Sequence, residues 1–151
     1  MAGQEDEHHM EVGSAKDVLS IARSGMAVSM VKLDVAANNL ANSQTHRRTS
    51  ETAFRPSTPV VVSLPGGGAQ IAGIVPGGSD EGVVFADPLS ALADAKGEVR
   101  GSGVDVASSM VEMMVATRSF EANATVVAAA AANYQSIMDL MKPGANGPLL
   151  G

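Results

Sequence analysis

The chain of 151 residues carries a net charge of −6, contains no cysteine, and is 45% hydrophobic but only 3% aromatic. No disulfide framework, thiol nucleophile or thiolate metal site is open to it, and its ten Lys and Arg residues are scattered, which leaves no basic face for nucleic acid. Its apolar share is largely Ala, Val and Met, a composition that suits thin layers of closely packed helices.

Residues 1–15 are acidic, show no apolar stripe, and are expected to form a disordered tail. His8 and His9 stand beside Glu5, Asp6, Glu7 and Glu11, but no rigid scaffold preorganises them as metal ligands, so a solvated tail is expected. The start lacks the positive and apolar blocks of a secretory signal, and no apolar run reaches the roughly 20 residues of a membrane span. Composition alone therefore points to the cytoplasm.

Residues 16–42 read as a helix. Leu19, Ala22, Met26, Ser29, Leu33, Ala36 and Leu40 recur in alternating steps of three and four, which is bundle or coiled-coil spacing. Val18, Ile21, Gly25, Val28 and Val35 widen the stripe. Gly25 costs a helix interior about 1 kcal/mol against Ala, so close approach of a neighbouring backbone is expected there. Asn38, Asn39 and Asn42 crowd the end of this helix although asparagine is a mediocre helix former. They read either as groups that cap the last carbonyls or as amides that lock against a second helix, where Asn123 offers a partner.

Residues 43–103 form a Gly- and Pro-rich linker. Val60–Leu64 and Gln70–Val75, joined across Pro-Gly-Gly-Gly, predict a β-hairpin, and Gly82–Phe85 a third strand. Pro59, Pro65, Pro76 and Pro88 are expected to bound these pieces. Residues 104–141 read as a long helix, with Val106, Met110, Met113, Thr117, Phe120, Ala124, Val127, Ala131, Tyr134, Met138 and Met141 in the same alternating step. Its centre, ATVVAAAAANY, is apolar nearly all round. At about 1.5 Å per residue it spans about 55 Å against about 40 Å for the first helix, so the shorter helix is expected to leave apolar surface for other chains to cover. Residues 142–151 are expected to be a flexible end after a stop at Pro143 and Gly144. The expected fold is thus mainly α, two long terminal helices packed as a coiled coil, with a small central region containing a β-hairpin.

No enzyme signature emerges. Glu112 and Glu121 flank Arg118, but no other group supplies a cleft for acid–base work; Arg118 and Glu121 are spaced to pair with each other. His46 stands alone beside Arg47 and Arg48. GGSDEG lacks the Lys-Ser or Lys-Thr of a phosphate loop, and Ser24 and Ser119 lack the context of a nucleophile. No cofactor, metal or small-molecule substrate is expected.

LDVAANNLANSQT resembles the N-terminal signature of the flagellar rod, hook and hook-associated protein family. Leu33, Asp34, Asn38, Asn39, Leu40, Ala41, Asn42 and Thr45 match it, whereas His46 and Arg47 replace the family's Gly and aromatic. GVDVASSMVEMMVATRSFEANATVV is similar to the family's C-terminal helix through Val104, Asp105, Glu112, Met113, Arg118, Phe120, Glu121, Ala122 and Asn123. Asp87, Pro88, Ala93, Asp94, Gly97 and Val99 resemble the linker of its short proximal rod members. The resemblance implies a structural subunit of a helical tube whose terminal helices pair in an inner layer. It implies a periplasmic rod, export through the flagellar type III apparatus without a Sec signal, and partners that are other copies and other rod proteins; this replaces the cytoplasmic expectation. The expected assembly contacts are Leu33, Asn38, Asn39, Leu40, Asn42, Met110, Met113, Arg118, Phe120, Glu121, Asn123, Val127, Tyr134 and Met138. Another short rod subunit, or a helical adaptor or chaperone of finite oligomer size, are the alternatives.

Overall fold

The computed structural model describes residues 3–78 and 81–142. Helix α1 (Gly3–Ala41) is followed by strands β1 (Ser57–Ser63), β2 (Ala69–Pro76), β3 (Val83–Ala86) and β4 (Glu98–Gly101), then by helix α2 (Val106–Leu140). Two long helices packed along each other carry a pair of two-stranded antiparallel sheets, β1–β2 and β3–β4.

The helices run antiparallel. Gly25 meets Asn123, while Asn39 shares a cleft with Ser108 and Ser109. The residues turned inward on α1 are Leu19, Ala22, Met26, Ser29, Leu33, Ala36 and Leu40, buried or half-buried, the stripe expected from the sequence. On α2 the inward row is Ser109, Met113, Ala116, Phe120, Asn123, Ala124, Val127 and Ala130. It shares Met113, Phe120, Ala124 and Val127 with the expected row and adds Ser109, Ala116, Asn123 and Ala130. Met110, Thr117 and Tyr134 are exposed instead.

The structure selects small residues. Ala22, Ser29 and Ala36 recur every seven positions on α1, and Ser109, Ala116 and Asn123 do so on α2. Each set faces the other, and Ala36 and Ala116 are 1% exposed. The buried hydroxyls are satisfied within their own helices: Ser29 Oγ donates to Gly25 O at 2.8 Å and Ser109 Oγ to Asp105 O at 2.9 Å, so neither adds an orphaned polar group to the seam.

The expected length mismatch is not found. The sequence pattern starts the first helix at residue 16, but α1 has 39 residues and α2 has 35. No proline interrupts the N-terminal segment, and its acidic residues lie near the helix N-terminus, where negative charge is favoured. Uncovered apolar surface remains for a different reason: one helix covers only one side of α2, whose buried residues are Ser109 and Ala116 alone. Asp105 caps α2, its carboxylate accepting from the N–H of Ala107 at 2.9 Å and of Ser108 at 3.3 Å. Residues 143–151, including the expected stop at Pro143 and Gly144, lie outside the described residues, as do the side chains of residues 3–16.

The hairpin β1–β2 occurs where expected, with a register shift between Val60 and Val61. Pro59 lies inside β1 rather than bounding it; a two-stranded sheet leaves each strand an outer edge where the missing N–H costs no ladder bond. β4 was not expected. It pairs with β3 from Val83↔Gly101 to Ala86↔Glu98 and holds Val99, the one large side chain fully buried among the described residues. Among the described residues no helix is long and apolar enough to cross a membrane.

Candidate assembly surface

The three asparagines have three different tasks. Asn39 is 2% exposed. Its Nδ2 donates to Ser57 O, and its Oδ1 accepts from Ser57 N, both at 2.8 Å. The amide thus imitates a strand neighbour and fastens the first residue of β1 to α1. Asn42 works locally: its Nδ2 donates to Asn38 O at 2.9 Å, and its Oδ1 accepts from Thr45 Oγ1 at 3.2 Å, closing the end of α1. Asn38 is exposed, and its carbonyl rather than its side chain is what Asn42 uses.

The expected lock between these amides and Asn123 does not form within the chain. Asn123 Nδ2 donates to Ser119 O at 2.8 Å, and its side chain lies against Gly25. A Cβ built on Gly25 would stand 2.8–2.9 Å from the Asn123 amide atoms. The close approach expected at Gly25 is therefore made by a side chain, not by a backbone.

The hairpin tip is seated farther along α1. Ser24 Oγ accepts from Ala69 N at 3.1 Å and donates to Ile21 O at 2.7 Å. Gly66, Gly67 and Gly68 all have positive φ. Cβ atoms at Gly67 and Gly68 would press on Ile21 and Ser24, so glycine is required there by conformation and by space.

The second sheet ties the segment after α1 to the segment that leads into α2. Arg47 and Arg100 exchange backbone hydrogen bonds of 2.8 and 2.9 Å. The Arg100 guanidinium donates to Thr49 O at 2.7 Å and to Glu81 O, and Ser102 Oγ donates to Ser43 O at 2.6 Å. Asp94 organises the β3–β4 connection, accepting from Lys96 N at 2.8 Å, Glu98 N at 3.0 Å and Thr49 Oγ1 at 2.9 Å. The Glu98 and Lys96 N–H groups, with the Thr49 hydroxyl, hold its carboxyl below the usual carboxylate range. The Ser108 hydroxyl and the Ser108 and Ala107 N–H groups do the same for Asp105. Asp94, Gly97 and Val99, read in the sequence as linker residues, are thus the turn and core of a hairpin.

A polar cleft of about 170 Å³ opens between the hairpin base and the start of α2, lined among others by Asn39, Ser57, Asp105, Ser109 and Glu112. Asn39, Asp105, Ser108 and Ser109 spend their side chains on hydrogen bonds within the chain, and no nucleophile–base pair converges on it. Among the described residues, no group of three or more His, Asp or Glu side chains could hold a metal ion.

What the fold leaves open is apolar. Leu33, Leu40, Met113, Phe120 and Val127 are half-buried in the seam. Met110 (49% exposed), Val111, Met114 and Val115 (60%) lie on the sides of α2 away from α1, and Tyr134, Ile137 and Met138 are about half exposed. Arg118 and Glu121 form an ion pair of 2.9 Å with side chains 84% and 54% exposed. Such a pair adds little to the isolated chain and stays free to meet a neighbour. On the hairpin, Val60, Val61, Val62, Ile74 and Val75 are exposed as well. This exceeds the scatter of apolar residues ordinary on a monomer surface and marks interaction faces.

Comparison with known proteins gives a consistent result. The family model described as flagellar basal body rod FlgEFG protein C-terminal matches residues 95–140. The chain is 35% identical over 116 residues to the flagellar basal-body rod protein FlgC of Salmonella typhimurium, covering 74% of this chain and 86% of that protein. It is 34% identical over 119 residues to FlgC of Yersinia enterocolitica, covering 76% and 88%. To FlgC of Bacillus subtilis it is 28% identical over 145 residues, covering 82% and 96%.

Proposed function

The chain belongs to the flagellar basal-body rod protein FlgC family, and from that membership we infer how this structural, non-catalytic subunit works in the rod. It lies in the proximal part of a hollow shaft that crosses the periplasm and transmits torque. Its neighbours are copies of itself and other rod proteins, and it reaches the rod through the flagellar type III export apparatus, without a Sec signal. The observation that supports this most directly is the bareness of α2, which buries only Ser109 and Ala116 in the single chain.

A helix so exposed is completed by neighbours. Fully burying a Val or Met side chain contributes about 1.5–3 kcal/mol, and α2 offers a series of them on several sides. Many such contacts around a tube share a twisting load, and no chemical step is needed. Leu33, Asn38, Asn39, Leu40, Asn42, Met110, Met113, Phe120, Val127, Tyr134 and Met138 are the residues we assign to this framework. Arg118, Glu121 and Asn123 are further polar members.

Cryo-electron microscopy of purified basal bodies tests the reading. Density fitting this chain in the proximal rod, with α1 and α2 in the inner layer, is the expected result. Intact basal bodies that lack the chain would refute it and leave a helical adaptor of finite oligomer size as the better account.

A further inference from the structure

The hairpin β1–β2 is held to the rest of the chain lightly and at few points. No residue of either strand is buried, whereas the seam buries Ala22, Ser29 and Ala36 against Ser109 and Ala116. Among the helices and strands, β1 and β2 touch only α1 and each other. The polar cleft, with Ser57, Thr58 and Gly77 on one side and Ser109 and Glu112 on the other, separates the hairpin base from α2. Among the described residues, the hydrogen bonds between the hairpin and α1 are made by two side chains. Asn39 exchanges a pair with Ser57 at the base, and Ser24 Oγ accepts from Ala69 N–H near the tip.

Within itself the hairpin is tied more firmly. Besides the β1–β2 ladder, Gly77 N–H donates to Pro56 O at 2.6 Å and Arg55 Nε–H to Gly77 O at 3.2 Å, which joins the two legs. The body of the chain begins just outside them. Phe54 O accepts from Gly103 N–H at 3.0 Å, and Gly82 lies close against Ala53 and Gly101. The legs therefore have joints beside Arg55 and at Gly78, whose φ is +66°.

Beneath the strands runs an apolar line of α1. Ile21, Ser24, Val28, Val35 and Asn39 follow one another at helical steps on one side, away from the Leu19–Leu40 stripe that faces α2. Ile21 and Ser24 meet the tip glycines, and Asn39 meets the base. Val28 and Val35, 8% and 7% exposed, lie under the hairpin between these two anchors.

We propose that the hairpin is a hinged strap, which lifts from α1 as one piece and uncovers Ile21, Val28 and Val35 while the α1–α2 seam stays closed. The device belongs to the single chain and goes beyond the rod reading. Lifting breaks the bonds of two side chains and a half-buried contact; parting the seam would expose the buried rows of both helices, so the strap is the first unit to open.

Amide exchange of the full chain in solution tests this, read at the two anchored N–H groups and in the seam. Ser57 and Ala69 are expected to exchange at one common rate, at least tenfold faster than Ala36 and Ala116. Each anchor is then removed and read at the opposite end. Ser24→Ala should speed exchange at Ser57 about fivefold, the effect of one hydrogen bond, and Asn39→Ala should speed Ala69 about thirtyfold, the effect of two. Alanine's better helix propensity cancels, because α1 is helical whether the strap is down or lifted. Helical circular dichroism should be unchanged in both variants. The absence of cysteine allows a second reading: a lone thiol at Val28→Cys should react with iodoacetamide several-fold faster than one at Ala36→Cys, and Ser24→Ala should speed the first reaction only. Anchors that affect only their own end overturn the proposal, since the hairpin then does not move as one piece. Seam amides that exchange as fast as Ser57 and Ala69 overturn it too.

Discussion

Replacing Asn39 with alanine tests whether one buried amide fastens the β region to the helix pair. The substitution removes two hydrogen bonds of 2.8 Å from the Ser57 backbone. At about 1 kcal/mol net for each bond the loss is about 2 kcal/mol, more if the Ser57 groups find no water. Alanine returns up to about 0.7 kcal/mol as a better helix former, leaving a net loss of about 1.5 kcal/mol. Asn38→Ala supplies the internal standard: the side chain is exposed, so the helix gain stands alone and that variant should be unchanged or slightly more stable. Urea titration followed by helical circular dichroism, together with rod completion in cells, measures both. Asn39→Asp adds a second signature. The facing Ser57 carbonyl and burial raise the new carboxyl's pKa in the folded state, since only its protonated form can still donate. Its stabilising bond is therefore complete below the unfolded value of about 4 and is lost as pH rises through the raised folded value. The aspartate variant should recover toward wild type at acid pH, and the alanine variant should not. An Asn39→Ala protein as stable as Asn38→Ala would refute the reasoning.

Other substitutions probe separate contacts. Gly25→Ala places a Cβ 2.8–2.9 Å from Asn123; overpacking costs about 1–3 kcal/mol and outweighs the helix gain, and Asn123→Ala in the same chain should restore stability in a double-mutant cycle. Ala116→Leu forces a large side chain into a seam position only 1% exposed; it should lower the urea midpoint and stop rod assembly, whereas Ala129→Leu on an exposed side should leave the monomer's midpoint unchanged. Asp94→Ala should speed amide exchange at Lys96 and Glu98 without affecting the α1–α2 seam. In the wild-type chain the Asp94 pKa is lowered by folding, so its turn is held above the usual carboxylate value and loosens as pH falls through the lowered one; amide exchange across that acid range checks the sign.

The stripe on α1 was legible because charged residues, Lys16, Arg23 and Asp34, bound it on one side and leave one register. On α2 the centre is apolar almost all round, so spacing alone cannot choose a face. A row of large residues is the natural reading, yet contact with α1 selects the small ones, Ser109, Ala116 and Asn123, because they let the axes approach. The first hairpin was legible from its valine run and glycine loop. β4 was not: Glu98-Val99-Arg100-Gly101 is short and half charged, and only pairing with β3 and Arg47 makes it a strand. Asn39 carried a local signal for a helix end, but its partner lies 18 residues away, beyond any pattern read along one helix.

The antiparallel seam joins the first element of the described chain to the last. No residue of α1 can find its partner until the whole linker and then α2 have become available, so the contact order of the seam is high. If the chain leaves a narrow conduit with its N-terminus first, α1 emerges as a lone amphipathic segment, which is marginal as a helix without packing. Only the late arrival of α2 closes the pair. The same geometry that makes a firm subunit keeps an incompletely delivered chain loose enough to keep moving.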